Sequence, residues 1–478
     1  MAGKNRYPSY RMNQRKMPYF TGTFILTFLV LLVPAVNADA VDDRVRSRMK
    51  ERNIPGAAIA VIRGGKVVKK KAYGLASVEF DVPVTDDTVF EIGSVSKQMT
   101  AAGIMLLVEE GKVGLDEPIS RYLPNTPESW KDVTVRHLLT HTSGIKSYTS
   151  LSGFELSRRV KVEGFIKQLS PHPLEFTPGE KNVYSNSGFN LLAYIIQTQS
   201  GKPFMEFMRE RIFIPLGMTR TWERDPQHII KRRATGYETR DGRLVGRDGN
   251  LTDLMGAGSI VSTINDMIRW EEALRGNKFL TPASRAELWK QFQFNGGELS
   301  PYGFGWRISD VRGHKLIGHT GQTAGFGAAI FRYVENDLTV IALTNLGELG
   351  MGGMLATGIA KIYLPTLSLK KIKKIQDPDL ARSARFREAL IARLANQPQR
   401  DSLTEELYKS VTSNRAQNVN RRLNSHGEIG EFRFVGEESL DGRMVYRYVA
   451  FAGDRAMLWR FAVDDDGKIA VMTLEEEE

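Results

Sequence analysis

Residues 94–111 have the sequence SVSKQMTAAGIMLLVEEG, in which a Ser-Val-Ser-Lys step opens an apolar run. The apolar residues from Met99 to Val108 recur with the spacing of a helix, and Gly111 is a typical helix stop. Positions three residues apart share one side of a helix. The pattern therefore predicts a buried helix whose first turn places Lys97 beside Ser94.

The pairing of Ser94 with Lys97 is suited to nucleophilic catalysis. A serine hydroxyl is a weak nucleophile while it keeps its proton, so an enzyme that uses it holds a base within hydrogen-bond reach. A lysine can be that base only when it is neutral. Its reference pKa of about 10.4 must then fall through burial or nearby positive charge. The segment thus predicts Ser94 as a nucleophile with Lys97 as its base.

The Ser-x-x-Lys pattern alone is not specific, because it occurs four times in the chain. Residues 47–50 and 368–371 lie in basic runs that are typical of solvated surface, and residues 143–146 lie in a predicted turn. Only Ser94 stands at the start of a helix that can be buried.

The composition argues against several kinds of site. The 478 residues include no cysteine, which removes disulfides, thiol catalysis and cysteine-bound metals. None of the seven histidines has a metal-ligand spacing, so we expect no metal and no other cofactor. The formal net charge is +11, yet the basic patch at residues 231–233 comes without a nucleic-acid recognition motif. The expected partner is a small-molecule or peptide substrate and not nucleic acid, while the oligomeric state stays open.

The first 38 residues are typical of a signal peptide. Basic residues occupy positions 4–16, positions 24–33 form an uncharged apolar core, and Val36-Asn37-Ala38 offers small residues for cleavage. The apolar run is too short for an ordinary membrane span, so membrane contact is expected only if the segment stays uncleaved. We therefore expect cleavage after Ala38 and a periplasmic or extracellular protein.

Residues 39–365 are predicted to form one domain of the α/β (α+β) class. A helix over residues 42–53 precedes a β-hairpin over residues 57–73, in which Gly64-Gly65 supplies the turn. The pattern is mainly helical from Ser94 to about residue 280, with loops such as 140–150 and 241–253. Strands are then predicted at 303–309, 314–319, 328–334 and 338–344. This order predicts one sheet built from both ends of the domain, with a helical lobe inserted.

A second, smaller unit is predicted after a basic linker at residues 366–376. Residues 377–478 show charged helical patterns at 379–394 and 403–425. Four strand patterns follow, at 432–435, 443–451, 457–463 and 468–474, with Asp441-Gly442 and Asp466-Gly467 as hairpin turns. We expect a separate α+β module without catalytic residues.

Two further short motifs could complete a serine site, which also needs a proton route and a hole for the oxyanion. Tyr184-Ser185-Asn186 could supply a proton relay, if nearby charges lower the pKa of Tyr184, and an amide that fixes Lys97. Its alternative interpretation is a tyrosine packed at a helix start. His319-Thr320-Gly321, at the end of a predicted strand, would let substrate approach the backbone at the glycine and present a threonine hydroxyl to the same cleft. Its alternative interpretation is a surface histidine.

These three motifs, in this order, resemble those of the serine β-lactamase-related family. That family includes class C β-lactamases, D-alanyl-D-alanine carboxypeptidases, D-aminopeptidases and some esterases. The resemblance covers roughly residues 41–364 and includes five further segments, at residues 90–93, 137–144, 215–218, 302–306 and 325–326. It implies a β-lactamase/transpeptidase-like antiparallel sheet flanked by helices, with the site in the cleft beside the helical lobe.

The resemblance also implies roles for individual residues. Ser94 would be acylated, Lys97 would activate it, and Tyr184 would shuttle protons in acylation and deacylation. Asn186, His319, Thr320 and Gly321 would bind and position the substrate. The backbone N–H groups of Ser94 and Gln322 would form the oxyanion hole, whereas Ser143 would have no catalytic role.

One departure from the family pattern bears on the substrate. Penicillin-recognising members usually have lysine where this chain has His319, and that lysine attracts the carboxylate of the substrate. A histidine, with a reference pKa near 6.5, is mostly neutral at pH 7, so the attraction should be weaker. In this respect the chain resembles the aminopeptidase and esterase branches of the family. The hypothesis is therefore an exported serine hydrolase for a small ester, an amide or a peptide containing D-residues. The alternatives are a β-lactamase or penicillin-binding D,D-peptidase and, in another class, a catalytically silent binding protein.

Overall fold

The structure is a computed structural model, and it describes residues 38–152, 160–249, 251, 254–440 and 443–476. These residues belong to one compact unit, Asn37–Glu478. The signal segment lies outside the described residues, so cleavage and export stay predictions. Within the described ranges, no helix is both long enough and apolar enough to cross a membrane.

Among the described residues between the two strand-rich regions, more lie in helices than in strands. In the described ranges the helices are α1 (Ala38–Arg52), α2 (Ser96–Glu109), α3 (Val135–Leu139), α4 (Val162–Leu169), α5 (Asn186–Ser200), α6 (Phe204–Met208), α7 (Met255–Gly258), α8 (Ile264–Arg275), α9 (Pro282–Leu288), α10 (Met351–Tyr363), α11 (Leu380–Leu394), α12 (Glu405–Thr412) and α13 (Asn414–Asn424).

The strands of the described ranges fall into four sheets. They are β1 (Gly56–Arg63), β2 (Lys66–Ser77), β3 (Val82–Pro83), β4 (Phe90–Glu91), β5 (Trp222–Glu223), β6 (Tyr237–Arg240), β7 (Arg243–Gly246), β8 (Ile260–Ser262), β9 (Arg307–Val311), β10 (His314–Gln322), β11 (Gly327–Tyr333), β12 (Leu338–Thr344), β13 (Ile429–Leu440), β14 (Arg443–Ala452), β15 (Arg455–Val463) and β16 (Ile469–Glu476).

The main sheet has the order β3-β2-β1-β12-β11-β10-β9, and its pairings are antiparallel. Strand β1 therefore lies beside β12, which comes from the other end of the domain. This confirms the predicted fold class and the predicted sheet built from both ends, with the helical region inserted between them. The pairing also brings β10, which carries His319, to within one strand of the sheet edge.

Both faces of the main sheet are covered, because its central strands are apolar on both sides. Side chains of successive strand residues point to opposite faces. Ala58, Ala60 and Ile62 of β1 belong to a core shared with α2 and α5. Ala57, Ile59 and Val61 belong to a second core shared with α1 and α10. The sheet therefore provides a rigid wall against which α2 is fixed.

Three predicted boundaries were wrong for local reasons. The strand expected at 303–309 begins only at Arg307, because Gly305 adopts a φ of +76° and turns the chain. The loop expected at 241–253 contains β7, which pairs with β6 around Asp241-Gly242. The single helix expected at 403–425 is interrupted at Ser413, whose hydroxyl accepts a hydrogen bond from Ala416 N–H and caps α13.

The C-terminal residues form a four-stranded sheet, β13-β14-β15-β16, together with α11, α12 and α13. Phe386, Tyr448 and Trp459 belong to a core separate from the two cores of the main sheet. The predicted turn at Asp466-Gly467 is present, with Gly467 at a φ of +75°, whereas the one at residues 441–442 lies outside the described residues. The domain boundaries at residues 365 and 376 stay predictions.

Candidate active site

Ser94 lies on a 3-10 turn, Gly93–Val95, that leads directly into α2. Gly93 has a φ of +51°, a conformation that glycine adopts without strain. A Cβ atom at Gly93 would lie 2.7 Å from the backbone N of Gln322 in β10. The absence of a side chain at Gly93 therefore allows the turn that carries Ser94 to lie against the end of β10.

The side chain of Lys97 is fully buried beside Ser94. Its Nζ lies 3.1 Å from Ser94 Oγ, 2.8 Å from Asn186 Oδ1 and 2.7 Å from the carbonyl oxygen of Ala257. A neutral amine has two N–H donors and one lone pair. The amide oxygen and the carbonyl oxygen can accept the two N–H bonds, which leaves the lone pair for the Ser94 hydroxyl.

Burial lowers the pKa of Lys97 well below its usual value, because water is excluded from the charged form. Aromatic rings complete its surroundings, with Nζ 4.7 Å from the centroid of Tyr184 and 5.5 Å from that of Phe189. No carboxylate is among these neighbours of Nζ. The environment of Lys97 therefore favours the neutral amine that a base requires.

Asn186, the first residue of α5, links Lys97 to the neighbouring loop. Its backbone N–H donates to Ser147 Oγ at 3.1 Å, and its Nδ2 donates to Thr149 Oγ1 at 3.3 Å. These bonds orient the amide so that its oxygen faces Lys97. The predicted role of Asn186 in fixing Lys97 thus has a geometric basis.

The Tyr184 hydroxyl lies in the same buried cluster. Burial raises the pKa of Tyr184 well above 10, although Ser94 and Arg307 act in the opposite direction. Ser94 is therefore close to the hydroxyl, yet the hydroxyl makes no hydrogen bond of good geometry with any described residue. The condition set for a relay, that nearby charges lower this pKa, is not met, because exclusion of water outweighs them. Tyr184 is a protonated phenol at neutral pH and can donate a proton.

His319 is buried, so the alternative of a surface histidine was wrong. Its Nδ1 lies 2.5 Å from the carbonyl oxygen of Thr320, and its Nε2 lies 2.7 Å from the hydroxyl of Tyr302. A carbonyl oxygen can only accept, which assigns the proton to Nδ1 and leaves Nε2 to accept from Tyr302. Burial, with Lys97 nearby, lowers the pKa of His319 to about 3. The imidazole is therefore neutral at pH 7.

Gly321 lets β10 approach the turn that carries Ser94. A Cβ atom at this position would lie 1.9 Å from the carbonyl oxygen of Ile92 and 3.2 Å from the backbone N of Ser94. The two peptide groups predicted to form the oxyanion hole, those of Ser94 and Gln322, therefore lie on segments in direct backbone contact. No side chain separates them.

Thr320 differs from its neighbours in orientation. Side chains alternate along a strand, so those of His319 and Thr320 point to opposite faces of the sheet. Consistent with this, a Cβ atom at Gly353 of α10 would lie 3.2 Å from Thr320 Cγ2. The structure thus does not place the Thr320 side chain on the face of the sheet that carries His319, in contrast to the sequence-based expectation of a hydroxyl in the same cleft.

Three residues of the site have no role assigned by the sequence-based reasoning. His141 packs its ring against Tyr184, with centroids 4.2 Å apart, and its Nδ1 accepts a hydrogen bond from Ser185 N–H at 3.1 Å. Tyr302 donates to His319, and Arg307 lies 5.9 Å from the ring of Tyr184. His141 and Tyr302 lie in segments 137–144 and 302–306, but their roles depend on packing between distant elements.

The assembled site has the components of acyl transfer. It combines a serine beside a buried amine, two peptide groups for an oxyanion and a protonated phenol as an acid. Among the described residues, no group of three or more histidine, aspartate or glutamate side chains could hold a metal ion.

Comparisons with known proteins identify a family and several similar proteins. Residues 41–363 match the β-lactamase family. The chain is 31% identical to penicillin-binding protein 4* of Bacillus subtilis over 318 residues, covering 62% of this chain and 70% of that protein. It is 31% identical to a D-aminopeptidase of Brucella anthropi over 314 residues, covering 64% of this chain but only 59% of that protein.

A solved structure resembles a larger part of the chain. The octameric penicillin-binding protein homologue from Pyrococcus abyssi is similar with a TM-score of 0.59 and 25% sequence identity. The similarity covers 92% of this chain and 99% of that one, so it extends into the C-terminal sheet.

Proposed function

We propose, from the premise that the chain belongs to the β-lactamase family, that it is an exported serine hydrolase. It would act through an acyl-enzyme at Ser94 on a small ester, an amide or a peptide containing D-residues. Members of the family are serine hydrolases, and a similar protein is a D-aminopeptidase. Export rests on the signal segment, which lies outside the described residues.

One observation carries the proposal: the three contacts of Lys97 Nζ with Ser94, Asn186 and Ala257. Two neutral acceptors and a hydroxyl surround the amine, and burial disfavours its charged form. A lysine whose role is structural is expected to pair with a carboxylate, because an unpaired buried charge is costly. The contacts of Lys97 instead match a neutral base.

In the proposed reaction, Lys97 Nζ accepts the Ser94 proton as Oγ attacks the substrate carbonyl carbon. The negative charge on the carbonyl oxygen is held by the N–H groups of Ser94 and Gln322. Tyr184 donates its proton to the leaving group, and the proton on Lys97 restores the phenol. Water then hydrolyses the ester at Ser94, with the same groups returning a proton to Oγ.

A panel of chromogenic substrates tests the proposal. It should include p-nitrophenyl esters, D- and L-aminoacyl p-nitroanilides and the β-lactam nitrocefin. Wild type should turn over at least one neutral ester or D-aminoacyl amide, and Ser94→Ala should turn over none. A well-folded wild type that hydrolyses nothing in the panel would instead favour a catalytically silent binding protein.

A penicillin-binding D,D-peptidase is the second candidate, and Arg307 favours it. The neutral His319 cannot attract a substrate carboxylate, but the exposed Arg307 guanidinium lies close enough to oppose protonation of His319 and His141. An arginine can bind a carboxylate through two parallel hydrogen bonds. Arg307 thus provides a positive charge beside the catalytic groups, although His319 is neutral.

Replacing Arg307 with alanine should separate the two candidates. If substrates bind through a carboxylate, KM should rise about tenfold or more for a carboxylate-bearing peptide or β-lactam, because a hydrogen bond to a charged group contributes about 1.5–3 kcal/mol. KM for a neutral p-nitrophenyl ester should stay unchanged, and Arg307→Lys should give a smaller loss. If Arg307→Ala has the same KM as wild type for the carboxylate-bearing substrate as well as for the neutral ester, the result would argue against the peptidase.

A further inference from the structure

A buried carboxylate joins the two segments that hold the oxyanion hole. Glu91 is 1% exposed and Thr323 is 8% exposed. The hydroxyl of Thr323 donates to Glu91 Oε2 at 2.6 Å, although the two residues are 232 positions apart in the sequence. This bond connects β4 with the turn that follows β10.

Glu91 and Thr323 are close in the sequence to the two residues whose N–H groups are predicted to bind the oxyanion. Glu91 precedes Ser94 by three residues, and Thr323 directly follows Gln322. Between them the backbones are in contact at Gly93 and Gly321, where no side chain acts as a spacer. The separation of the two N–H groups therefore depends on what holds the segments on either side.

A second contact fixes the orientation of Glu91. Arg224, which is 6% exposed, donates from Nε to Glu91 Oε1 at 3.1 Å, and its Nη2 donates to Asp248 Oδ1 at 2.9 Å. Burial raises the pKa of Glu91, while the hydrogen bond from Thr323 and the positive charge of Arg224 oppose this rise. Because Thr323 and Arg224 each donate a hydrogen bond to a different oxygen of Glu91, the carboxylate is held in one rotamer.

We propose that Glu91 and Thr323 are positioning residues that set the width of the oxyanion hole. Neither touches the substrate; the bond between them holds the Ser94 turn and the Gln322 peptide at the spacing that the developing oxyanion needs. The inference rests on the proposed function of Ser94. The inference goes beyond that function, because it assigns a positioning role to the Glu91 carboxylate, which is too deeply buried to act on a substrate itself.

The chain offers a matched control in Thr339. This threonine, 2% exposed, donates its hydroxyl to the buried Glu271 at 2.9 Å, and Glu271 also pairs with Arg332 at 2.9 Å. Thr339 lies opposite Arg332 in the β11–β12 ladder, whereas the Gln322 end of β10 lies opposite Gly327. The same chemical grouping thus occurs at the far end of the same sheet.

The experiment measures covalent labelling of the full chain by a fluorophosphonate, which forms a tetrahedral adduct without requiring the natural substrate. In Thr323→Val the limiting labelling rate should fall about tenfold or more, because small displacements of reacting groups cost up to about 10²-fold. The half-saturating probe concentration should stay unchanged. Thr323→Ser, which keeps the hydroxyl, should restore most of the rate, and Thr339→Val should lower the melting temperature similarly but label at the wild-type rate.

Other results would contradict either the positioning role or the proposed function. A wild-type labelling rate in Thr323→Val, or an equal loss in Thr339→Val, would overturn the positioning role while leaving Ser94 as the nucleophile. A wild type that is not labelled at Ser94 would overturn the proposed function, and the inference with it.

Discussion

Replacement of Lys97 with alanine should lower the rate of Ser94 acylation by at least about 10³-fold at neutral pH, within the range known for general acid–base groups. Lys97 Nζ is the one basic group within hydrogen-bond distance of Ser94 Oγ among the contacts of the described residues. Tyr184 cannot substitute for it, because burial keeps the phenol protonated. The pre-steady-state burst of p-nitrophenol from an activated ester measures this rate.

Two controls separate chemistry from folding in this experiment. Lys97→Met fills a similar volume without the amine and should be equally inactive, whereas Lys371→Ala, at an exposed Ser-x-x-Lys match, should be fully active. A near-normal burst rate in Lys97→Ala would contradict the role of the amine as base.

The same lysine gives a pH dependence whose sign follows from its burial. The folded pKa of Lys97 is lowered and the unfolded one stays near 10.4, so between these values only the unfolded chain binds the proton. The unfolding free energy of wild type, relative to Lys97→Met, should therefore rise with pH in this window by up to about 1.4 kcal/mol per unit. Acylation should fall as pH drops through the lowered pKa, because the protonated amine has no lone pair. If the difference in unfolding free energy between wild type and Lys97→Met does not change with pH, the result would contradict a neutral Lys97.

Replacement of Gly321 with alanine should reduce acylation by at least about 10²-fold. The added methyl carbon would lie 1.9 Å from the carbonyl oxygen of Ile92, far closer than a carbon and an oxygen that are not bonded to each other can approach. Strand β10 and the Ser94 turn must therefore separate, which moves the N–H groups of Ser94 and Gln322 apart. Overpacking of this kind also costs about 1–3 kcal/mol of stability. Burst kinetics and thermal unfolding measure the two effects.

The matched control for this variant is Gly246→Ala. Gly246 is also a strand glycine, but the nearest atom to its added Cβ would be 3.8 Å away, so activity and stability should be unaffected. Full acylation in a folded Gly321→Ala would show that the close approach of β10 is not needed for reaction.

The sequence predicted the parts of the site that depend on local geometry. The helix after Ser94 and the contact of Lys97 with Ser94 follow from a spacing of three residues within one segment. The main sheet followed from strand patterns at both ends of the domain. The Tyr184-Ser185-Asn186 motif also suggested that Asn186 fixes Lys97, but the contact itself depends on how α5 packs against α2, which no local pattern specifies.

The features of the site that could not be predicted from the sequence depend on burial and on contacts between residues far apart in the chain. The pKa of Tyr184 is raised by burial among rings that include those of His141 and Tyr302, a packing that no short pattern encodes. The hydrogen bond from Thr323 to Glu91 joins residues that are 232 positions apart in the sequence. The strands β4 and β5 have two residues each, too few for an alternating pattern to be visible.

Ser94 is proposed to be the residue that becomes acylated, with Lys97 as its base. Peptide mapping by mass spectrometry after reaction with a fluorophosphonate tests this proposal most directly. We expect a single adduct on the peptide containing Ser94 in wild type, none in Ser94→Ala and a strongly slowed adduct in Lys97→Met. An adduct on another residue, or equal labelling of wild type and Ser94→Ala, would contradict this proposal.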